Sequence, residues 1–325
     1  MKIKILHSFW DFNINPISYD IIWFLCAVDH YAINNSYDGF KIHFIPEVDE
    51  PNRKYPEQFD KIIDLESRRF RKRNICYQSL SLFKNCKGFH SYTNYEEAMQ
   101  NRDLLVNTFP KNDVFPLHDN GKFTGHWEYF KYVNDNINFN NDTSVGIKIS
   151  TQSDRYIKNW FAKNKIDNNK AISLTLRQLN FDVDRNNNLN DWLKFANYLK
   201  ERSYVPILFP DSDHIFDNYD YEKDHICTNE FAFNVELRAA FYENCKNNFF
   251  VSSGPAALAQ LNPKCSYVVT NIVNEGSPGT AIDFMKQQGF SVGKQPKFCK
   301  KNQFFYWDKD NFEVLKEYFE KFKEK

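Results

Sequence analysis

An arginine, two serines and a glycine stand in this sequence where an anion can be held. FFVSSGPAALAQL (Phe249 to Leu261) runs apolar, breaks at Ser252, Ser253 and Gly254, and resumes as a small-residue helix. Gly254 permits an unusual backbone angle and a close approach. Pro255 suits a first helical position, where its missing N–H is not needed. Ser252 or Ser253 can cap, and the free amides of the helix start favour a phosphate. An ordinary capped strand–helix turn is the alternative. Arg177 ends AISLTLR, and its guanidinium can fork onto phosphate oxygens. Pairing with Asp182 or Asp184 is its bland alternative. Asp211 ends YVPILFPD and can accept from a base or ribose, or orient Arg177. Gln178 and Arg185 lie in the polar loop Arg177 to Asn188 and can contact a ligand, or simply be solvated.

Other residues have weaker patterns. In SFWDFNINPISYD and the His7 just before it, the side chains of His7, Trp10, Asp11 and Asp20 can line a binding surface, and His7 or Asp11 can take a proton from a hydroxyl. Glu128 is a further candidate base. Trp10 and Phe12 as core residues are the stronger reading. DSD (Asp211 to Asp213), DVD (Asp182 to Asp184) and DKD (Asp308 to Asp310) match a D-x-D pattern for a divalent cation, but three hits in an aspartate-rich chain make each weak. No metal site is expected, and no HExxH is present. The seven cysteines contain no CxxC pair and read as reduced thiols.

These residues need elements to position them. In the first half, Ile3, Ile5 and Leu6 mark a strand, and Pro16 and Ser18 open a helix with Ile21, Phe24, Leu25 and Val28 on its apolar face. Lys41 to Val48 reads as a strand, and Asn74 to Phe83 as a third. Tyr95 to Asp103 reads as helix, and Leu104 to Pro110 as a strand or extended exit. Asn134 to Thr143 is asparagine-rich and reads as a linker or exposed loop. The second half is more regular. Strands are expected at Ala171 to Arg177, Tyr204 to Asp211, Asn248 to Ser253 and Cys265 to Ile272. Helices are expected around Arg155 to Lys163, Asn188 to Ser203, Asn229 to Cys245, Pro255 to Leu261 and Asn311 to Lys325. Alternation of this kind implies a parallel, doubly wound sheet. Ligands of such sheets bind beyond the carboxyl ends of the strands, where Arg177, Asp211, Ser252, Ser253 and Gly254 fall.

Bulk properties narrow the field. The chain has 325 residues, 42 Lys plus Arg against 42 Asp plus Glu, and 17% aromatic residues. There is ample material for two cores, and no general electrostatic reason to bind nucleic acid. No signal peptide or membrane helix is read. A cytoplasmic protein is expected, or one peripheral at the inner face of the membrane. RRFRKR (Arg68 to Arg73), the dense basic run, can contact anionic lipid, with a solvated helix face as the alternative.

The run ISLTLRQLNFDVDRNNNLNDWLKFANYL, with YVPILFPD and FFVSSGPAALA, resembles the C-terminal half of GT-B-type glycosyltransferases. It is similar to fucosyltransferase-like enzymes, whose donor domain carries an H-x-R strand end and a Ser-rich turn, and to heptosyltransferases, whose turn has S/T-G-P before a small-residue helix. Thr175 stands where the histidine of H-x-R belongs. The resemblance implies an α/β fold of two Rossmann-like domains with a cleft between them. Residues 1–145 would be the acceptor-side domain, 146–310 the nucleotide-sugar-binding domain and 311–325 a closing helix. It further implies a metal-independent glycosyltransferase, with a nucleotide sugar as substrate, no cofactor, and a glycan or lipid-linked saccharide as acceptor. Arg177, Ser252, Ser253 and Gly254 would hold the donor diphosphate. A non-catalytic α/β binding protein and a sugar-nucleotide epimerase are the alternative functions.

Overall fold

A computed structural model describes residues 3–48, 63–108, 114–115, 127–180, 182–215, 217–277 and 279–323. The chain divides into two compact units, Met1–Ile137 with Asp142–Lys148, and Asn138–Asn141 with Ile149–Lys325.

The first unit is built on β1 (Ile5–Asp11), β2 (Gly39–Ile45), β3 (Cys86–Ser91) and the short β4 (Val114–Phe115), in the parallel order β3-β2-β1-β4. Helix α1 (Asp20–Asn34) links β1 to β2. Between β2 and β3 come α2 (Leu65–Arg71), a π-helical turn (Lys72–Tyr77) and a 3-10 turn (Gln78–Leu82). Then follow α3 (Tyr95–Thr108) and α4 (Trp127–Asn136). Trp10 packs between α1 and α4, against Phe24 and Tyr129 at 5.1 and 5.7 Å. Phe9, Ile45 and Tyr92 pack on the other face with Ala98, Tyr95 and Met99 of α3. Helices thus cover both faces, as a parallel sheet requires.

Three expectations are corrected here. Asn74 to Phe83 is helical, not a strand: Ile75, Cys76, Ser79 and Leu80 are buried at helical spacing. The third strand is Cys86–Ser91, largely exposed at the sheet edge. Leu104–Thr108 continues α3, while Phe109 and Pro110 lie outside the described residues. The chain does pass from one unit to the other within Asn134 to Thr143, but that stretch is not exposed throughout, because α4 runs to Asn136, and Ile137 and Phe139 are buried.

The second unit begins with α5 (Thr151–Lys163), capped by the Ser150 hydroxyl on the Ser153 amide. It continues β5 (Ala171–Thr175), α6 (Leu189–Glu201), β6 (Val205–Phe209), β7 (Ile226–Cys227), α7 (Val235–Asn244) and β8 (Asn247–Val251). It closes with α8 (Ala257–Gln260), β9 (Tyr267–Thr270), α9 (Ile282–Gln287), β10 (Gln303–Phe305) and α10 (Phe312–Lys323). The sheet is parallel throughout, in the order β10-β9-β8-β5-β6-β7. That is the doubly wound nucleotide-binding order, and its direction reverses between β5 and β8. Helix α7 starts later than its sequence suggests, because the Asn234 side chain caps it by accepting from the Leu237 amide at 2.9 Å.

One face of this sheet packs on α6 and α10 through Phe195, which lies 4.9 Å from Phe249 and 6.1 Å from Phe319. The other packs on α5 and α7, where Phe161 stacks on Phe241 at 5.7 Å. Burying one such phenylalanine contributes on the order of 2–3 kcal/mol. A polar stitch crosses the sheet centre: Ser173 Oγ donates to Asn248 Oδ1 at 2.6 Å, and Asn248 Nδ2 donates to the carbonyls of Tyr242 and Ser266 at 2.9 Å each. Both residues are fully buried, so these bonds answer the cost of desolvating an amide in a sheet.

All seven cysteines are free thiols, and Cys26, Cys76, Cys245 and Cys265 are buried. Burial pushes the pKa of each of these four upward. Among the described residues no helix is long and apolar enough to cross a membrane.

Candidate functional site

The strand-order reversal of the second sheet places the exits of β5 and β8 side by side, since Thr175 pairs with Phe250. Ligands of open parallel sheets bind at this point because the two connections leave in opposite directions and open a crevice. Arg177 follows β5 by two residues, and Ser252 follows β8 directly.

Arg177 is only 4% exposed. Its Nη1 donates to the Asp182 carbonyl at 2.8 Å and to Asn186 Oδ1 at 2.6 Å, and its backbone N–H to Asn187 Oδ1. Burial, then the nearby Arg185 cation, lowers its pKa to about 10, against the pull of Asp182 and Asp211. It therefore stays charged at neutral pH. These bonds hold the loop that follows its own strand. Asp182 takes a left-handed conformation (φ 57°), and the Asn186 side chain clamps Leu179 by accepting from its N–H at 3.1 Å and donating to its carbonyl at 2.8 Å.

That loop carries a second arginine to the Ser-rich turn. Arg185 Nη2 donates to the Ser252 carbonyl at 3.0 Å, and Nη1 pairs with Asp182 Oδ2 at 3.3 Å. Ser277 Oγ also donates to that Asp182 oxygen. Arg185 is thus the guanidinium found against the turn, with Arg177 bonded to the loop that presents it.

The turn itself differs from its sequence reading. Gly254 opens a 3-10 turn (Gly254–Ala256) and is not among the residues with positive φ. Neither serine caps: Ser253 sits at the N-cap position with no side-chain cap bond, and its Oγ is buried without a hydrogen-bond partner. The 3-10 turn and α8 together span only residues 254–260, so the macrodipole is small. Ser252 N–H donates to Thr270 and Ala256 N–H to Ser253, while Pro255 has no N–H. The Ser253 and Gly254 amides stand apart from those bonds.

Asp211 accepts from the Gln178 backbone N–H at 3.2 Å, joining the exits of β5 and β6. The Gln178 side chain is half-buried. Below them lies a network that the sequence did not reveal. Arg238 of α7, 1% exposed, donates from Nε to Tyr242 Oη at 3.0 Å and from Nη1 to Ser212 Oγ at 3.2 Å, with its guanidinium 4.1 Å from the Phe209 ring. Tyr242 Oη in turn meets Thr175 Oγ1 at 2.9 Å. Asn271 and Asn274 were also missed. Both donate from Nδ2 to the Asp184 carbonyl, at 3.3 and 2.8 Å, and stitch the arginine loop to the segment after β9. An asparagine ending an apolar strand was the only signal for Asn271.

The first-unit candidates lie on three elements, His7 and Asp11 on β1, Asp20 on α1 and Glu128 on α4. Asp11 ends β1, buried, and its Oδ1 accepts from the Asn13 backbone and side chain at 2.8 and 2.7 Å. His7 lies mid-strand, its Nδ1 2.8 Å from His43 Nε2, and His43 Nδ1 is 2.8 Å from Tyr92 Oη. Burial, then His7, Lys41 and His90, hold the His43 pKa down at about 3. Glu128 is exposed in the first turn of α4, and Asp20 lies in that of α1. Trp10 and Phe12 are core residues, 0% and 1% exposed, and offer no stacking platform. The basic run is partly internal: Arg68 and Lys72 both pair with Glu47, whereas Arg69 and Arg73 are exposed.

No protein-family model matches this sequence, and no curated protein matches it. Solved structures do. The glycosyl transferase family 9 protein of Veillonella parvula superposes with a TM-score of 0.56 at 10% identity, over 99% of this chain and 98% of that one. The ADP-heptose LPS heptosyltransferase II of E. coli gives 0.52 at 11% identity, over 99% of each chain. Identities this low report architecture, and the architecture agrees with the strand orders above. The chain has the glycosyltransferase-like fold of the GT-B type, built on two parallel α/β units.

Proposed function

We propose that this protein is a glycosyltransferase whose second unit binds a nucleotide-sugar donor, with the diphosphate over the Ser252–Gly254 turn. One observation carries the reading: at the strand-order reversal, Arg185 reaches the turn beside a buried Ser253 hydroxyl that has no partner. A diphosphate there would meet the Arg185 cation and the Ser253 and Gly254 amides. As the bond to the anomeric carbon breaks, negative charge grows on the leaving phosphate, and a preorganised guanidinium stabilises it without reorganisation. Fixed guanidinium charge supports transfer without a metal. Of the neighbours with this fold, one is named as a glycosyl transferase and another as an ADP-heptose LPS heptosyltransferase. A glycan or other hydroxyl acceptor, and Asp11, Glu128 or His7 as the base that deprotonates it, are parts of the same proposal.

A thermal-shift screen with UDP, GDP, CMP and ADP tests it. A bound diphosphate at a hundredfold excess over Kd stabilises by about 2.7 kcal/mol. The matching nucleotide sugars should then release free nucleoside diphosphate in the presence of an acceptor. Binding without turnover would favour the non-catalytic α/β protein, and a changed sugar still attached to its nucleotide would favour the epimerase.

A further inference from the structure

Among the buried polar atoms without a hydrogen-bond partner at the carboxyl edge of the second sheet, three lie near one another: Ser253 Oγ, Arg185 Nε and Asn271 Oδ1. Buried groups of this kind are nearly always paired, so three near one another call for an explanation. Bonds already described place them together. Arg185 Nη2 touches the Ser252 carbonyl, one peptide from Ser253. Asn271 Nδ2 touches the carbonyl of Asp184, one peptide from Arg185. Ser252 N–H donates to Thr270, one peptide from Asn271. Asn271 is 1% exposed. Its amide cannot be turned over, because two oxygens would then face each other at Asp184, so the unpartnered atom is an acceptor.

We propose that these three atoms form a subsite for a hydroxyl group of the ligand, on the ribose or on the transferred sugar. The inference rests on the donor-binding reading above and adds what this corner of the site recognises. Arg185 Nε can only donate, Asn271 Oδ1 can only accept, and Ser253 Oγ can do either. A phosphate oxygen would satisfy Arg185 and repel Asn271. An ammonium would do the reverse. A hydroxyl accepts from Arg185 Nε or Ser253 while donating its own proton to Asn271 Oδ1. The diphosphate would lie on the outer nitrogens of Arg185 and the turn amides, the hydroxyl on the inner face of the same guanidinium.

The test compares Ser253→Ala and Asn271→Gly with the wild type, glycine being chosen because Asn271 has φ 51°. Calorimetric titration uses ADP, UDP and GDP, their 2′-deoxy and 3′-deoxy counterparts, and ADP-glucose, UDP-glucose and GDP-mannose. Each variant should weaken binding of the hydroxyl-bearing ligand about three- to tenfold and leave binding of the ligand lacking that hydroxyl unchanged. A ribose hydroxyl shows itself in the deoxy series, a sugar hydroxyl in the nucleotide-sugar series. Ser253→Ala should also keep or raise the urea midpoint of the unliganded protein, because it deletes an unpartnered buried group. Unchanged affinity ratios in both variants, with nucleoside diphosphates still binding, would overturn the hydroxyl subsite and leave donor binding standing. If no nucleotide binds the wild type, both readings fall.

Discussion

Replacing Arg185 and Arg177 separately by methionine should divide binding from stability. Arg177 is buried and bonded to the Asp182 carbonyl and Asn186 Oδ1, and its charge is balanced by Asp182 and Asp211. Arg177→Met leaves those acceptors and a carboxylate without their cation, a loss of about 3 kcal/mol or more. Arg185 is 20% exposed, with one longer ion pair to Asp182 and one bond to a carbonyl. Its removal should lower stability by only about 1 kcal/mol. In binding the order reverses. A charged hydrogen bond to phosphate contributes about 1.5–3 kcal/mol, so Arg185→Met should weaken nucleoside diphosphate binding roughly 10- to 150-fold. Urea midpoints give the stabilities, and titration calorimetry with the nucleotide selected by thermal shift gives the affinities. Unaltered affinity in a folded Arg185→Met protein would refute the placement of the diphosphate at the turn. Loss of affinity in a stable Arg177→Met protein, with Arg185→Met unaffected, would return that role to Arg177.

Three further outcomes are expected. His43 binds its proton at about 3 in the folded chain against an ordinary 6.5, so the unfolded state takes up the proton first and stability falls as pH drops below about 6.5. From about pH 7.5 to about pH 5 the loss is roughly 2 kcal/mol, and His43→Gln should remove that share of the pH dependence of the urea midpoint. Asp29 has the opposite sign: burial raises its pKa to about 6, partly offset by the Asn85 amide, the Gly146 backbone and Lys148, so protonation below pH 6 favours the fold. Asp29→Asn should then stabilise at neutral pH and lose its advantage as pH falls toward about 4, read from the same midpoints. Tyr242→Phe leaves Thr175 Oγ1 and Arg238 Nε without the phenol they share, and thermal or urea unfolding should show a loss of about 1–3 kcal/mol.

The second sheet was legible because its strands are buried on both faces and end in polar residues, so apolar runs such as AISLT and NFFV stop where the chain leaves the sheet. The two-residue β7 and three-residue β10 carry too few side chains to leave a pattern. CKGFHS was missed because an exposed edge strand has no need of apolar alternation. NICYQSLSLF misled because its leucines and serines alternate, while burial follows the helical spacing of Ile75, Ser79 and Leu80. At the site, the exits of β5 and β8 were readable as chain punctuation. The respective places of Arg177 and Arg185 were not, since they depend on a left-handed Asp182 and on asparagine clamps that act through space. Gly254 looked special for its lack of a side chain, yet its negative φ asks nothing unusual of it.

The buried thiols provide built-in reporters of local opening. Cys26 and Cys76 belong to one unit, Cys245 and Cys265 to the other, and each is shielded from solvent and kept protonated by its surroundings. A thiol-reactive reagent attacks only the thiolate, so these positions are silent until the surrounding structure opens. Alkylation followed residue by residue would therefore time the breathing of each half of the chain, without a label having to be introduced.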